Sequence, residues 1–185
     1  TDASSFVPDR WHLESKVEGD LNKDGIKDLA LVIVRREGEG CFGEDVARTV
    51  VVAFKNAPGG YRRVATSKGV ARLECSMMSD VHLTIEKGGL LVSNLSGERD
   101  MIVEQCRFRF NPEIKKFQLI GQDRYECDRL TMAGQEESLN LITGDRIVEK
   151  IKSGDVVSSK KMKVKKQPLK DFETVSVASL FKTVQ

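Results

Sequence analysis

The chain is 185 residues long, 39% hydrophobic and 31% charged, a balance that builds a core and excludes a wholly disordered protein. Thirty basic and 28 acidic residues leave a formal charge of +2, too even to make nucleic acid or an acidic membrane the expected partner. The longest apolar run, Leu29 to Val34, falls far short of the roughly 18 residues of a membrane span, so no transmembrane segment is expected.

The chain opens at Thr1, and no basic and apolar signal-like segment precedes Phe6-Val7-Pro8, so an export signal has been removed or was never there. After Trp11-His12, Leu13–Gly19 reads as a first strand. The nine residues that follow, Asp20-Leu21-Asn22-Lys23-Asp24-Gly25-Ile26-Lys27-Asp28, have the chemistry of a calcium loop. Calcium is a hard cation that takes six to eight oxygen ligands. Asp20, Asn22 and Asp24 stand at alternate positions, where a curling backbone aims their side chains at one point. Gly25 permits the sharp turn, Ile26 offers its backbone carbonyl, and Asp28 closes the set. Lys23 and Lys27 fall between the ligands, where they face outward and soften the repulsion among the acids. An EF-hand would need a bidentate Glu at its twelfth position, where this chain has Leu31, so that reading fails. With so few ligands the affinity should be modest, on the order of 10⁻⁴–10⁻³ M, as in constitutively filled extracellular sites.

Leu29–Arg36 starts as a continuous apolar run and is expected to be a central strand covered on both faces. Further strands are predicted at Thr49–Lys55, Tyr61–Ser67, Val81–Glu86, Leu90–Leu95, Ile102–Phe110, Lys116–Tyr125, Ser138–Ile142 and Arg146–Ile151. Turns are predicted at Pro58-Gly59-Gly60, Lys87-Gly88-Gly89, Asn111-Pro112 and Thr143-Gly144-Asp145. The segments 37–47 and 70–80 read as loops. The fold class is therefore mostly β: antiparallel strands and hairpins in two blade-like sheets or a sandwich, with a short C-terminal helix or a final strand beyond Pro168. A single domain is expected, with a calcium-loop half at about 6–70, a β-meander half at about 80–153 and a basic tail over 154–185. In that tail Lys160-Lys161-Met162-Lys163-Val164-Lys165-Lys166 reads either as a lysine-protected edge strand or as a contact surface for an acidic partner.

Cys41, Cys75, Cys106 and Cys127 form no Cys-x-x-Cys pair, and the chain has only His12 and His82, which argues against zinc. An even count at wide spacing fits two disulfides in an oxidising compartment, against four reduced cysteines in the cytosol. A Cys41–Cys75 bridge would pin the two long loops, leaving Cys106 for Cys127. Counting back from the Asn111 turn places Cys106 opposite Gly121, so that second bridge would need a bulge or a bend.

The stretch Gly19 to Val32 resembles the calcium loop of FG-GAP or VCBS-type repeats, the blade units of integrin-α-like β-propellers. That resemblance implies Asp20, Asn22, Asp24, Ile26 through its carbonyl, and Asp28 as ligands of Ca²⁺. The motif occurs once, so a full propeller is excluded. The layout, from Phe6-Val7-Pro8 to Pro168-Leu169, also resembles poorly characterised exported bacterial proteins with one such blade, which implies a periplasmic or extracellular location.

No Gly-x-Ser-x-Gly, Walker loop or dinucleotide fingerprint is present, and His82 lies on the polar phase of its strand. The pairs Glu44-Asp45 and Glu136-Glu137 are most simply solvated charges, and Asn94-Leu95-Ser96 is a chance match to the glycosylation sequon. The expected function is a non-catalytic exported calcium-binding protein that acts as a protein-interaction module, of which an immunity or inhibitor protein for a secreted enzyme is one form. The alternative is a carbohydrate-directed module or hydrolase accessory domain, for which Trp11 is the sole Trp available to stack on sugar.

Overall fold

The structure is a computed structural model that describes residues 2–36, 46–56, 59–72 and 79–181. The β-branched runs of the first third pair as an antiparallel four-stranded sheet in chain order: β1 (His12–Gly19), β2 (Asp28–Arg36), β3 (Val46–Lys55) and β4 (Tyr61–Ser67). A seven-stranded antiparallel meander follows: β5 (Asp80–Glu86), β6 (Gly89–Ser96), β7 (Asp100–Asn111), β8 (Lys116–Asp128), β9 (Ala133–Asn140), β10 (Asp145–Lys152) and β11 (Asp155–Lys163). Neither sheet closes on itself. The β5–β6 connection is a two-residue turn in which Lys87 and Gly88 both have positive φ, the geometry that matches strand twist.

The four-stranded sheet lies over only part of the larger one, with β1 against β5 and β4 against β8. Between them Val32, Val50 and Phe54 meet Leu83, Leu90, Phe108 and Phe117. The C-terminal segment completes this core, because Phe172 and Val177, from a 3-10 turn (Phe172–Thr174) and the helix α1 (Val177–Leu180), are buried in it. The continuous apolar run of β2 is explained by a second cover. Its other face, Leu29, Leu31 and Ile33, packs under Phe6, which arrives from a 3-10 turn at Ala3–Phe6. β2 is therefore interior within its sheet and buried on both sides, as the run predicts.

Two registers differ from expectation. A β-bulge at Ile120 makes Cys106 face Gln122, not Gly121. Cys127 faces Met101, an odd number of residues from Cys106 on β7, so the two sulfurs project from opposite faces of the sheet. Both are free thiols, and the Cys106–Cys127 bridge does not form. The second correction is β9, expected at Ser138–Ile142 and found at Ala133–Asn140. The side chain of Asn140 accepts hydrogen bonds from the N–H groups of Ile142 and Thr143, which bends the apolar Leu141-Ile142 into the turn. Loops 37–47 and 70–80, with Glu44-Asp45 and a Cys41–Cys75 bridge, lie outside the described residues apart from their ends. Within the region read as the basic tail, Asp155–Lys163 forms β11, the lysine-rich open edge of the larger sheet, paired to β10.

Candidate metal centre

The loop between β1 and β2 is fixed from both ends. Gly19 pairs with Asp28 as the last rung of the β1–β2 ladder, and Leu21 points inward and packs into the intersheet core with 1% of its surface exposed. Leu21 is thus the anchor that the polar residues around it lack. Gly25 holds φ +83°, which a side chain would strain.

The predicted ligands curl the backbone through their own hydrogen bonds. Asp20 accepts from the N–H groups of Lys23 (2.6 Å) and Gly25 (2.9 Å). Asn22 Oδ1 accepts from Asp24 N–H at 3.0 Å, and Asp24 Oδ1 from Ile26 N–H at 2.8 Å. The amide nitrogen of Asn22 donates to Asp24 Oδ2 at 2.8 Å. Asp28 stands apart, since it has no exposed surface. Its oxygens accept from Leu21 N–H at 2.9 Å and from Lys55 N–H, at the end of β3, at 3.1 Å. No cation pairs with it among the described residues. Burial pushes its carboxyl above the ordinary range, backbone N–H groups pull it back in part, and the charge of Asp24 raises it again.

These donors suit a hard divalent cation. Every predicted side chain offers oxygen, and a carboxylate oxygen that accepts one N–H keeps a second lone pair. Among the described residues no three or more His, Cys, Asp or Glu side chains are drawn together closely enough to grip an ion as they stand. The N–H bonds hold the oxygens in the curl, and Asp20, Asn22, Asp24 and Asp28, with the Ile26 carbonyl, are the groups that would turn toward a metal.

Compared with known proteins, the chain matches no family model, no curated protein and no solved structure.

The other singled-out residues do not gather into a site. His12 and His82 are exposed on different sheets. Glu136 and Glu137 are neighbours on β9 and so point to opposite faces, and both oxygens of Glu137 are held by Arg146 at 2.8 Å. Trp11 packs on the outer core of the four-stranded sheet with the Arg35 guanidinium 5.8 Å from its ring centre, which occupies the face a sugar would need. Asn94 is fully buried, accepting from Arg72 N–H and donating to the Val70 carbonyl, so the sequon is closed to glycosylation in the folded chain.

One cluster went unnoticed in the sequence. Glu104, without exposed surface, binds Arg72 at 2.5 Å and Arg124 at 2.7 Å. Nearby, Arg48 donates to both oxygens of Glu14, the extra residue of a β1 bulge, and to the Arg72 carbonyl. These charges close the core at the far end of β2 from the candidate loop. A signal was present, because Glu104 shares the inward phase of β7 with Cys106 and Phe108, where an acid must find a partner.

Proposed function

We propose that the protein is a non-catalytic, exported calcium-binding protein whose β-scaffold serves as a protein-interaction module, with an immunity or inhibitor protein for a secreted enzyme as its most specific form. The observation that carries the calcium reading is Asp28, a buried carboxylate at the mouth of an oxygen-lined turn that has no cationic side-chain partner among the described residues. A divalent ion would neutralise it and its neighbour Asp24 together. A loop with few protein ligands binds weakly, which suits the millimolar calcium found outside cells rather than cytosolic signalling. The occupied Trp11 face gives the carbohydrate-directed alternative no support.

Asp24→Asn tests the reading, because it keeps an oxygen to accept the Ile26 N–H while it removes the charge and, with it, only the solvent-exposed hydrogen bond from the Asn22 amide. In millimolar calcium the wild-type chain should melt at higher temperature than in chelator, by the linkage of ligand to folded state. The variant should lose most of that difference and melt like wild type in chelator. Equal losses with and without calcium, or no heat on calorimetric titration of the wild type with Ca²⁺, would sink the calcium site.

A further inference from the structure

The four-stranded sheet covers β5 to β8, so β9, β10 and β11 overhang the sandwich. Along the register, the inward row of Cys106 continues through Gln122 and Leu139 to Arg146 and Met162. The next row runs from Glu104 through Arg124 and Glu137 to Val148 and Lys160. The overhang's inner face thus carries partly exposed apolar side chains, Leu139, Val148 and Met162, that no second sheet covers.

One end of this face is roofed. After β11 the chain runs without helix or strand from Val164 to Lys170 and crosses to the start of β8. It is tied at both ends: Val164 N–H donates to the Gly144 carbonyl at 2.9 Å, and Leu119 N–H donates to the Lys170 carbonyl at 2.9 Å. Lys116 and Asp171 add an ion pair, and Phe172 enters the core. Gly144 is required at the first tie, since it holds φ +76° and a Cβ there would lie 2.6 Å from the Val164 carbonyl oxygen. Under this strap is a cavity of about 280 Å³, floored by Leu139, Leu141 and Arg146 and roofed by Val164, Lys165 and Lys166.

The charge around the cavity is predominantly basic, with Glu137 the one acid among its lining residues. Residues 160–170 contain six lysines and no acid. Lys163 pairs with Asp145, and Arg146 is held by Glu137. Lys160, Lys165 and Lys166 form no ion pair among the described residues. With Lys150 on β10, six residues beyond Gly144, these cations spread over two strands and the strap, about 20 Å along the strand direction.

We infer that the strap cavity and the overhanging inner face are the docking surface for an acidic polypeptide segment that seats one apolar side chain under the strap and sets its carboxylates against Lys150, Lys160, Lys165 and Lys166. The inference rests on the protein-interaction part of the proposed function and not on calcium, since the metal loop packs near Gly88 at the β5 side of the sheet. Cations spread over several elements match a row of acids better than the single head of a small amphiphile. The cavity residues include no aromatic ring, so a nucleic-acid base has nothing to stack on. A second copy paired along β11 would bring Lys160, Lys161 and Lys163 of both chains together.

The test is a methyl NMR titration of the full chain, in calcium and in chelator, with a soluble peptide of alternating glutamate and leucine. Saturating shifts of the Leu139, Leu141 and Val164 methyls are expected in both conditions, with affinity falling about tenfold or more from low to high salt. A glutamate–serine peptide and a lysine–leucine peptide should leave those signals in place. The triple variant Lys160→Glu, Lys165→Glu, Lys166→Glu should lose at least tenfold in affinity, and the salt series on the wild type reads the same term should that variant misfold. Three results overturn the inference: no movement of these methyls, shifts confined to the four-stranded sheet, or octanoate or single-stranded DNA saturating the same signals at lower concentration than the peptide. Any of them would leave the calcium titration of the loop untouched, and loss of calcium binding would leave the peptide result untouched.

Discussion

Cys106 shows how one position can be read from sequence for its direction and not for its chemistry. Alternation with Phe108 and Phe110 places it inward, and it is fully buried beside Glu104. Burial pushes its thiol up to about 12, and the charges of Glu104 and Asp123 push the same way. A thiol so far above neutral pH holds almost no thiolate, which is the reactive form. Native protein treated with iodoacetamide at pH 8 should therefore leave Cys106 unmodified, while protein unfolded in urea should be labelled there to completion. Peptide mass spectrometry distinguishes the two, and rapid native labelling at Cys106 would show that the inter-sheet core opens readily. The curled turn between β1 and β2 was legible to the residue, because Asp, Asn and Gly at fixed spacing bend the backbone through their own hydrogen bonds. Its anchor was less so, since Leu21 looks like any spacer until the core is seen around it. The burial of Asp28 depends on the end of β3, about 27 residues further on, through Lys55 N–H, and no local pattern reports that.

Strands that alternate or run continuously apolar were found where the sequence puts them; Tyr61–Ser67 agrees to the residue, and β1, β2, β5 and β6 to within one at either end. The polar strand Gln135-Glu136-Glu137 is different, because pairing with β8 and β10 recruits it into the sheet and hydropathy gives no sign of that. Its start is set by the β8–β9 turn. There Asp128 Oδ1 accepts from the N–H groups of Leu130 at 2.8 Å and Thr131 at 2.9 Å, and Arg99 approaches Oδ2. The two backbone bonds, then Arg99, hold the Asp128 carboxyl below the ordinary range. A depressed carboxylate supports the fold above its unfolded pKa, and this support is lost as pH falls through the folded pKa. The amide shifts of Leu130 and Thr131 should therefore stay constant through the normal carboxylate range and move together only at lower pH. Titration of both amides at the pH of a free aspartate would remove this turn lock.

At the scale of the molecule, two open meanders share one core, and the end of the chain comes back to complete it. Phe172 meets Phe108 edge to face at 4.9 Å and Phe117 at 6.4 Å, with no surface left exposed. The sequence left residues beyond Pro168 as helix or strand; the answer is a 3-10 turn and one short helix, selected by where aromatic volume is needed between β4 and β8. The same return lays the strap across the overhang, so the cavity depends on a contact far from it in sequence. Phe172→Ala removes a fully buried ring and should cost about 3–5 kcal/mol. For a chain of this length that is a fall in melting temperature of roughly 6–20 °C. The strap should loosen with it: in hydrogen exchange the Leu119 amide, which donates to the Lys170 carbonyl, should lose protection along with core amides of β4 and β8. A loss below about 1 kcal/mol would place Phe172 outside the core. Unchanged protection at Leu119 would show the strap held by Gly144 and the Lys116–Asp171 pair without it.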